Sequence, residues 1–232
     1  MSNTALDKIR EIIDNNQNPE KEFKNFVLQG GAGSGKTESL KEVISYIAEK
    51  HPETKLFLLK EENCDKVIGK KEYDVSPSTY NVQLNEKIAI LNDNIKEIIS
   101  SKDHNLIAYN ETRFDSFEEL TFSHDSLLLL SYKLCERFKL LPKIISDKYD
   151  FILIDEYQDT NENIINLFLN LLPKNKKTTV GLFGDSMQGI YDDGIGDVEK
   201  YIEEKIITRI DKEDNYRCSE EVIRFINNIR TD

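Results

Sequence analysis

Cysteine is scarce and irregular in this chain: Cys64, Cys135 and Cys218 lie far apart, and none belongs to a C-x-x-C pair. An odd number at such spacing argues against a disulfide framework and against a zinc site, and it fits a reducing cytoplasm. The three histidines, His51, His104 and His124, are equally scattered. Long apolar runs are missing. The longest, Leu127-Leu128-Leu129-Leu130, is closed by Ser126 and Ser131, far short of a membrane span. Asp7, Lys8, Arg10 and Glu11 interrupt the first apolar positions, so the opening segment does not read as a signal peptide. Positive charge is in deficit, with 31 Lys and Arg against 43 Asp and Glu and a net charge of −12. That balance counts against a strong nonspecific nucleic-acid binder, whose affinity comes from phosphate contacts, but leaves room for a local cationic groove.

The chain does have enough length for a core. Its 232 residues, 38% hydrophobic and 32% charged, suit a globular protein that is long for one compact domain and short for two. Its most informative stretch is Gly30-Gly31-Ala32-Gly33-Ser34-Gly35-Lys36-Thr37, of the form G-x-x-x-x-G-K-T. The apolar run Phe26-Val27-Leu28 precedes it and a helical pattern over 38–44 follows. Strand, tight loop and helix in that order form a phosphate cradle: glycines let the backbone close in, and inward N–H groups and the helix N-terminus supply positive potential. Lys36 is placed to reach the β- and γ-phosphates of a nucleotide, and Thr37 to offer its hydroxyl to Mg²⁺.

Periodicity organises the rest. Leu6, Ile9, Ile12 and Ile13 are spaced as on a helix over 4–14, before a polar break at 15–20. Residues 55–59 read as a buried strand, 84–99 as a helix, 106–109 as a short strand and 127–138 as a helix that is apolar on most sides and buried. Phe151-Ile152-Leu153-Ile154 is a continuous apolar strand, as expected when both faces of a parallel sheet are covered. A helix over 164–172 stops at Pro173. A strand follows at 178–183, then a helix at 198–204, a short strand at 206–207 and a helix at 219–229 capped by Ser219. The implied fold is α/β, a P-loop NTPase with a parallel sheet flanked by helices and a partly helical insertion over about 61–122.

The strand at 151–154 ends in Asp155-Glu156, at the edge where parallel sheets bind ligands. Asp155 suits a Mg²⁺ ion that keeps most of its waters, and Glu156 suits the orientation and deprotonation of an attacking water.

At this point the residues resemble a family. Asp155-Glu156-Tyr157-Gln158-Asp159-Thr160-Asn161 resembles the D-E-x-Q-D-T-N signature of superfamily 1 DNA helicases of the UvrD/Rep/PcrA and RecB type. Phe183-Gly184-Asp185-Ser186-Met187-Gln188-Gly189-Ile190-Tyr191 resembles its G-D-x-x-Q-x-I-Y block, and Asn215-Tyr216-Arg217-Cys218 its N-Y-R-S block. His124-Asp125-Ser126-Leu127-Leu128 is similar to its D-D-L-L block. The likeness covers 26–47 and 125–229. It implies a RecA-like domain over 1–214 and the start of a second, mostly absent one at 215–232. The chain would then be a fragment of a longer enzyme, cytoplasmic, binding ATP and Mg²⁺ and weakly active alone.

By the same resemblance Gln188 contacts the γ-phosphate, Arg217 is a cation on it, and Tyr191 lies where an aromatic meets single-stranded DNA. Gln158 and Asp159 couple the acidic strand to neighbouring motifs without chemistry of their own. The partners implied are single-stranded DNA and a second RecA-like domain or partner protein that completes the site, with no membrane. Two departures stand beside the matches. Asp192-Asp193-Gly194-Ile195-Gly196 replaces an arginine- and aromatic-containing block, and Lys60-Glu61-Glu62-Asn63-Cys64 stands where a T-F-T-N-K-A-A-like motif belongs. They keep a second reading open: an ATP-dependent switch or interaction module in a nuclease or defence assembly, without unwinding activity.

Overall fold

The computed structural model describes residues 4–59, 108–110, 121–174, 178–189 and 194–212. The chain divides into two compact units, one formed by 1–70 with 142–232 and the other by 71–141.

The first unit is built on one five-stranded sheet. Its strands are β1 (Asn25–Gly30), β2 (Leu56–Leu59), β5 (Phe151–Asp155), β6 (Thr179–Gly184) and β7 (Ile207–Lys212), in the order β2-β5-β6-β1-β7. Every pairing is parallel, so all five carboxyl ends lie on one edge. β5 and β6 are buried at every position, and cover on both faces explains why β5 reads as an unbroken apolar run up to Asp155. One face of the sheet presents Phe26, Leu28, Leu56, Leu58, Phe151, Leu153, Phe183 and Ile210 to helices α1 (Ala5–Gln17) and α2 (Lys36–Lys50), which contribute Ile9, Ile13, Leu40, Val43 and Ile47. On the other face Phe57 meets the Phe168 ring at 6.0 Å and the Tyr149 ring at 5.3 Å between centroids. Glycine is required at 181, where a Cβ would press into the Phe26 ring and Leu153.

Helix α1 begins with a capping box: Thr4 Oγ1 accepts from Asp7 N, and the Asp7 carboxylate accepts from Thr4 N. It runs into the expected polar break, as far as Gln17, because Asn16 is buried, at 1% exposure, and fully employed. Its amide nitrogen donates to Lys24 O at 2.7 Å and Thr179 Oγ1 at 2.9 Å, and its oxygen accepts from Lys24 N at 2.9 Å. One amide thus joins α1 to the entries of β1 and β6. Truncation in Asn16→Ala leaves the buried Thr179 hydroxyl without this donor, at about 1–3 kcal/mol for an orphaned buried group, and removes the bonds to the Lys24 backbone. The expected result is a loss of about 2–3 kcal/mol in urea unfolding. An unchanged midpoint would show that the joint is dispensable.

Beyond β2, the first unit also contains most of α4 (Leu140–Lys148), α5 (Glu162–Asn166) and α6 (Glu199–Glu203). α5 continues into a wider π-type turn over Leu167–Leu171 rather than running as one regular helix to Pro173. α4 was not expected from the sequence. The short β7 expected at 206–207 extends through Lys212.

In the second unit, β3 (Ala108–Asn110) pairs in parallel with β4 (Thr121–Ser123), and α3 (His124–Arg137) follows directly. Ser123 caps α3, accepting from Ser126 N. The expectation of a buried helix, apolar on most sides, is met along one stripe only. Leu127, Ser131 and Cys135 are buried at i, i+4 and i+8, whereas Leu129 is 48% exposed. The leucine run wraps around the helix, and only one stripe is covered.

The expected helices at 84–99 and 219–229 lie outside the described residues. No described helix is long and apolar enough to cross a membrane.

Candidate nucleotide site

The loop leaving β1 has the conformation its glycines permit. Gly33 and Gly35 take φ of 80° and 78°, the left-handed region that favours glycine. Gly35 is the N-cap of α2, so Lys36 and Thr37 open the helix and its N-terminal N–H groups face the loop. At Gly30 a Cβ would come within 2.5 Å of Ser34 Oγ. Ser34 Oγ is buried and has no hydrogen-bond partner among the described residues, the kind of polar atom a bound phosphate oxygen satisfies. Lys36 is 7% exposed and its Nζ donates to Gly30 O at 2.7 Å. The ammonium is thus held inside the loop. These features fit a phosphate group.

Strand register brings the later motifs to the same edge. Phe183 pairs with Leu28 on one side and Asp155 on the other, and Gly184 pairs with Gln29. β1 and β5 are separated only by β6, so their backbones lie about 10 Å apart at two inter-strand spacings. Asp155, the last residue of β5, is 6% exposed. Thr37, half-buried at the start of α2, and Asp155 both offer hard oxygen donors of the sort Mg²⁺ takes.

Glu156 follows in a left-handed conformation, φ 50°, with its side chain exposed. A tight turn, Tyr157–Asp159, comes next. Tyr157 is fully buried, and its hydroxyl accepts from Gln29 Nε2 at 2.8 Å. Burial pushes the Tyr157 phenol up to about 12 from 10.0, outweighing that donor. Because the folded value is the higher, the phenol's contribution to stability is intact below pH 10 and fades as pH rises towards 12.

After β6, Asp185 is 2% exposed and caps a turn over Ser186–Gln188. Its Oδ1 accepts from Met187 N at 3.2 Å and its Oδ2 from Gln188 Nε2. Gln188 is half-buried on this turn. At the end of β7, Lys212, opposite Gly30, donates from Nζ to Ser39 Oγ of α2 at 2.7 Å.

The sheet edge thus gathers Gly30, Gly31, Ala32, Gly33, Ser34, Gly35, Lys36, Thr37, Asp155, Glu156 and Gln188 from three strands and their loops. Tyr191 and Arg217 lie outside the described residues. The sequence reading assigned no role to Gln29, Gly184, Asp185 or Lys212. Gln29 carried a usable signal, a polar residue at the end of an otherwise apolar strand.

A parallel β2-β5-β6-β1-β7 sheet with a glycine loop on β1 and an acidic pair ending β5 defines a RecA-like P-loop NTPase fold. The chain belongs to the UvrD/REP helicase N-terminal domain family, whose model matches residues 52–205. That match begins after the glycine loop, so the loop is separate support drawn from its own residues. The Gabija protein GajB of Bacillus cereus is 42% identical over 141 residues, covering 59% of this chain and 20% of that protein. The RecBCD enzyme subunit RecB of Buchnera aphidicola subsp. Schizaphis graminum is 35% identical over 112 residues, covering 47% of this chain and 9% of that protein. The chain therefore spans a fifth or less of the length of these relatives. Among solved structures, the Pif1 helicase of Candida albicans aligns at a TM-score of 0.49 and 16% identity, over 99% of this chain and 43% of that one.

Proposed function

We propose that this chain is the ATP-binding and hydrolysing RecA-like domain of a UvrD-like DNA helicase or translocase, formed by 1–214 with an insertion over about 61–122. We assign 215–232 to the start of a second such domain and expect the domain to be weakly active alone. The observation that carries the reading is the convergence of the β1 glycine loop, the Asp155-Glu156 strand end and the Gln188 turn on one sheet edge.

In this reading the loop N–H groups and Lys36 hold the β- and γ-phosphates. Mg²⁺, held by Thr37 and Asp155, neutralises charge on those phosphates when bound. Glu156 orients the attacking water and accepts its proton. Gln188 contacts the γ-phosphate through an amide that can both donate and accept. Arg217 adds a guanidinium to the transferring group, and the second RecA-like domain or a partner completes the clamp. Tyr191 stacks on a base of single-stranded DNA. The setting is the cytoplasm.

The test is the ATPase rate of the complete protein with and without single-stranded DNA. Stimulation of about tenfold or more is expected if strand movement and hydrolysis are coupled. The acidic Asp192-Asp193 pair, together with a relative that is an enzyme subunit, favours a second reading, a nucleotide-dependent switch within an assembly. A rate indifferent to DNA would establish that reading and remove the translocase.

A further inference from the structure

We propose that Gln158 is a positioning residue that locks Glu156 and the Gln188 turn into one unit, so that the water-activating carboxylate and the γ-phosphate contact move together. The inference rests on the assignment of Glu156 as the base. Gln158 is 1% exposed, and both ends of its amide are in use. Nε2 donates to Glu156 Oε2 at 2.8 Å and to Asp159 Oδ2 at 3.1 Å, while Oε1 accepts from Asp185 N at 3.0 Å. Asp185 in turn holds Gln188 twice, through Oδ2 to the side-chain amide and through its carbonyl to Gln188 N at 2.9 Å. The connection therefore runs Glu156–Gln158–Asp185–Gln188, from the end of β5 to the turn beyond β6.

Only a side chain with a donor and an acceptor at this length makes both links. The fold makes room for it. At Gly184 an added Cβ would strike Gln158 Oε1 and lie 2.5 Å from the Tyr157 ring. The turn is also pinned from the β1 side by the Gln29–Tyr157 hydrogen bond and from below by Gly196 N donating to Gln158 O at 3.0 Å. Glu156 holds its left-handed conformation, φ 50°, between the end of β5 and this pinned turn. Its carboxylate is exposed but tethered, which is what a base that must meet a water in one place requires.

The experiment uses steady-state ATPase kinetics, titration with a fluorescent ADP analogue and thermal unfolding of the complete protein. Gln158→Glu keeps the size and the acceptor for Asp185 N but loses the donor to Glu156. The expected result is a fall in kcat of about tenfold or more, with KM and ADP affinity within about twofold of the native protein. Gln158→Met, neutral and of similar length, covers the case in which a buried glutamate prevents folding, and the same split is expected. Combined with Glu156→Gln, either change adds little further loss, because both act on one step. Native kcat in both Gln158 variants overturns the inference. So does a parallel loss of ADP affinity and melting temperature, which marks a merely structural side chain. If Glu156→Gln alone retains turnover, the failure lies with the base assignment and is recognisable as such.

Discussion

Glu156→Gln is expected to cut ATP turnover by about 10²–10⁴-fold, the range for losing a general base. ATP affinity should stay close to native, because the loop after β1 and the helix N-terminus supply the phosphate contacts. The geometry separates the two effects. Glu156 lies on the turn after β5, and its side chain is exposed rather than built into the glycine loop. Gln158 Nε2 donates to Glu156 Oε2, and the oxygen of a glutamine at 156 can accept that same bond. The variant therefore keeps shape and local hydrogen bonding while losing a proton acceptor. A fall in kcat with constant nucleotide affinity identifies an interaction made in the transition state. Turnover at the native rate would mean that water is activated elsewhere and would deny the β5 strand end its catalytic role.

The parts of this site that could be read from sequence are those whose cause is local. The P-loop is legible because its glycines, lysine and threonine are contiguous and flanked by a strand and a helix. β5 is legible because burial on both faces leaves an unbroken apolar run. What escaped depends on partners distant in the chain. Asn16 belongs to a polar stretch, and only Lys24 and Thr179 make it part of a helix and a joint. For Gln158 the resemblance implies a coupling role, but nothing in the string says that Asp185 N, 27 positions on, donates to its side-chain oxygen. α4 carries Pro142 close to its start, where a missing N–H costs little, so a residue that reads as a breaker is tolerated there. Leu129 fails in the opposite sense: leucines at consecutive helical positions cannot all face one core, and sequence does not say which is left outside.

Lys36→Ala should remove most of the affinity for both ATP and ADP, weakening binding by about 100-fold or more if the ammonium contributes about 3 kcal/mol to a charged, partly desolvated phosphate. The side chain lies within the loop, 7% exposed, with Nζ on Gly30 O. Binding thus exchanges a neutral carbonyl for a charged phosphate oxygen, and charge-assisted bonds are roughly twice as strong as neutral ones. The same contact means that the variant also loses a loop tie, at about 1 kcal/mol for one hydrogen bond. The two losses separate in a ligand-induced thermal shift. Without nucleotide the melting temperature should fall only slightly. With saturating ATP the native protein gains stability as the logarithm of ligand over Kd, and the variant's gain should nearly vanish. A native-sized ATP shift in Lys36→Ala would take the glycine loop out of nucleotide binding. The convergence of Asp155, Glu156 and Gln188 on that edge would then need a different ligand.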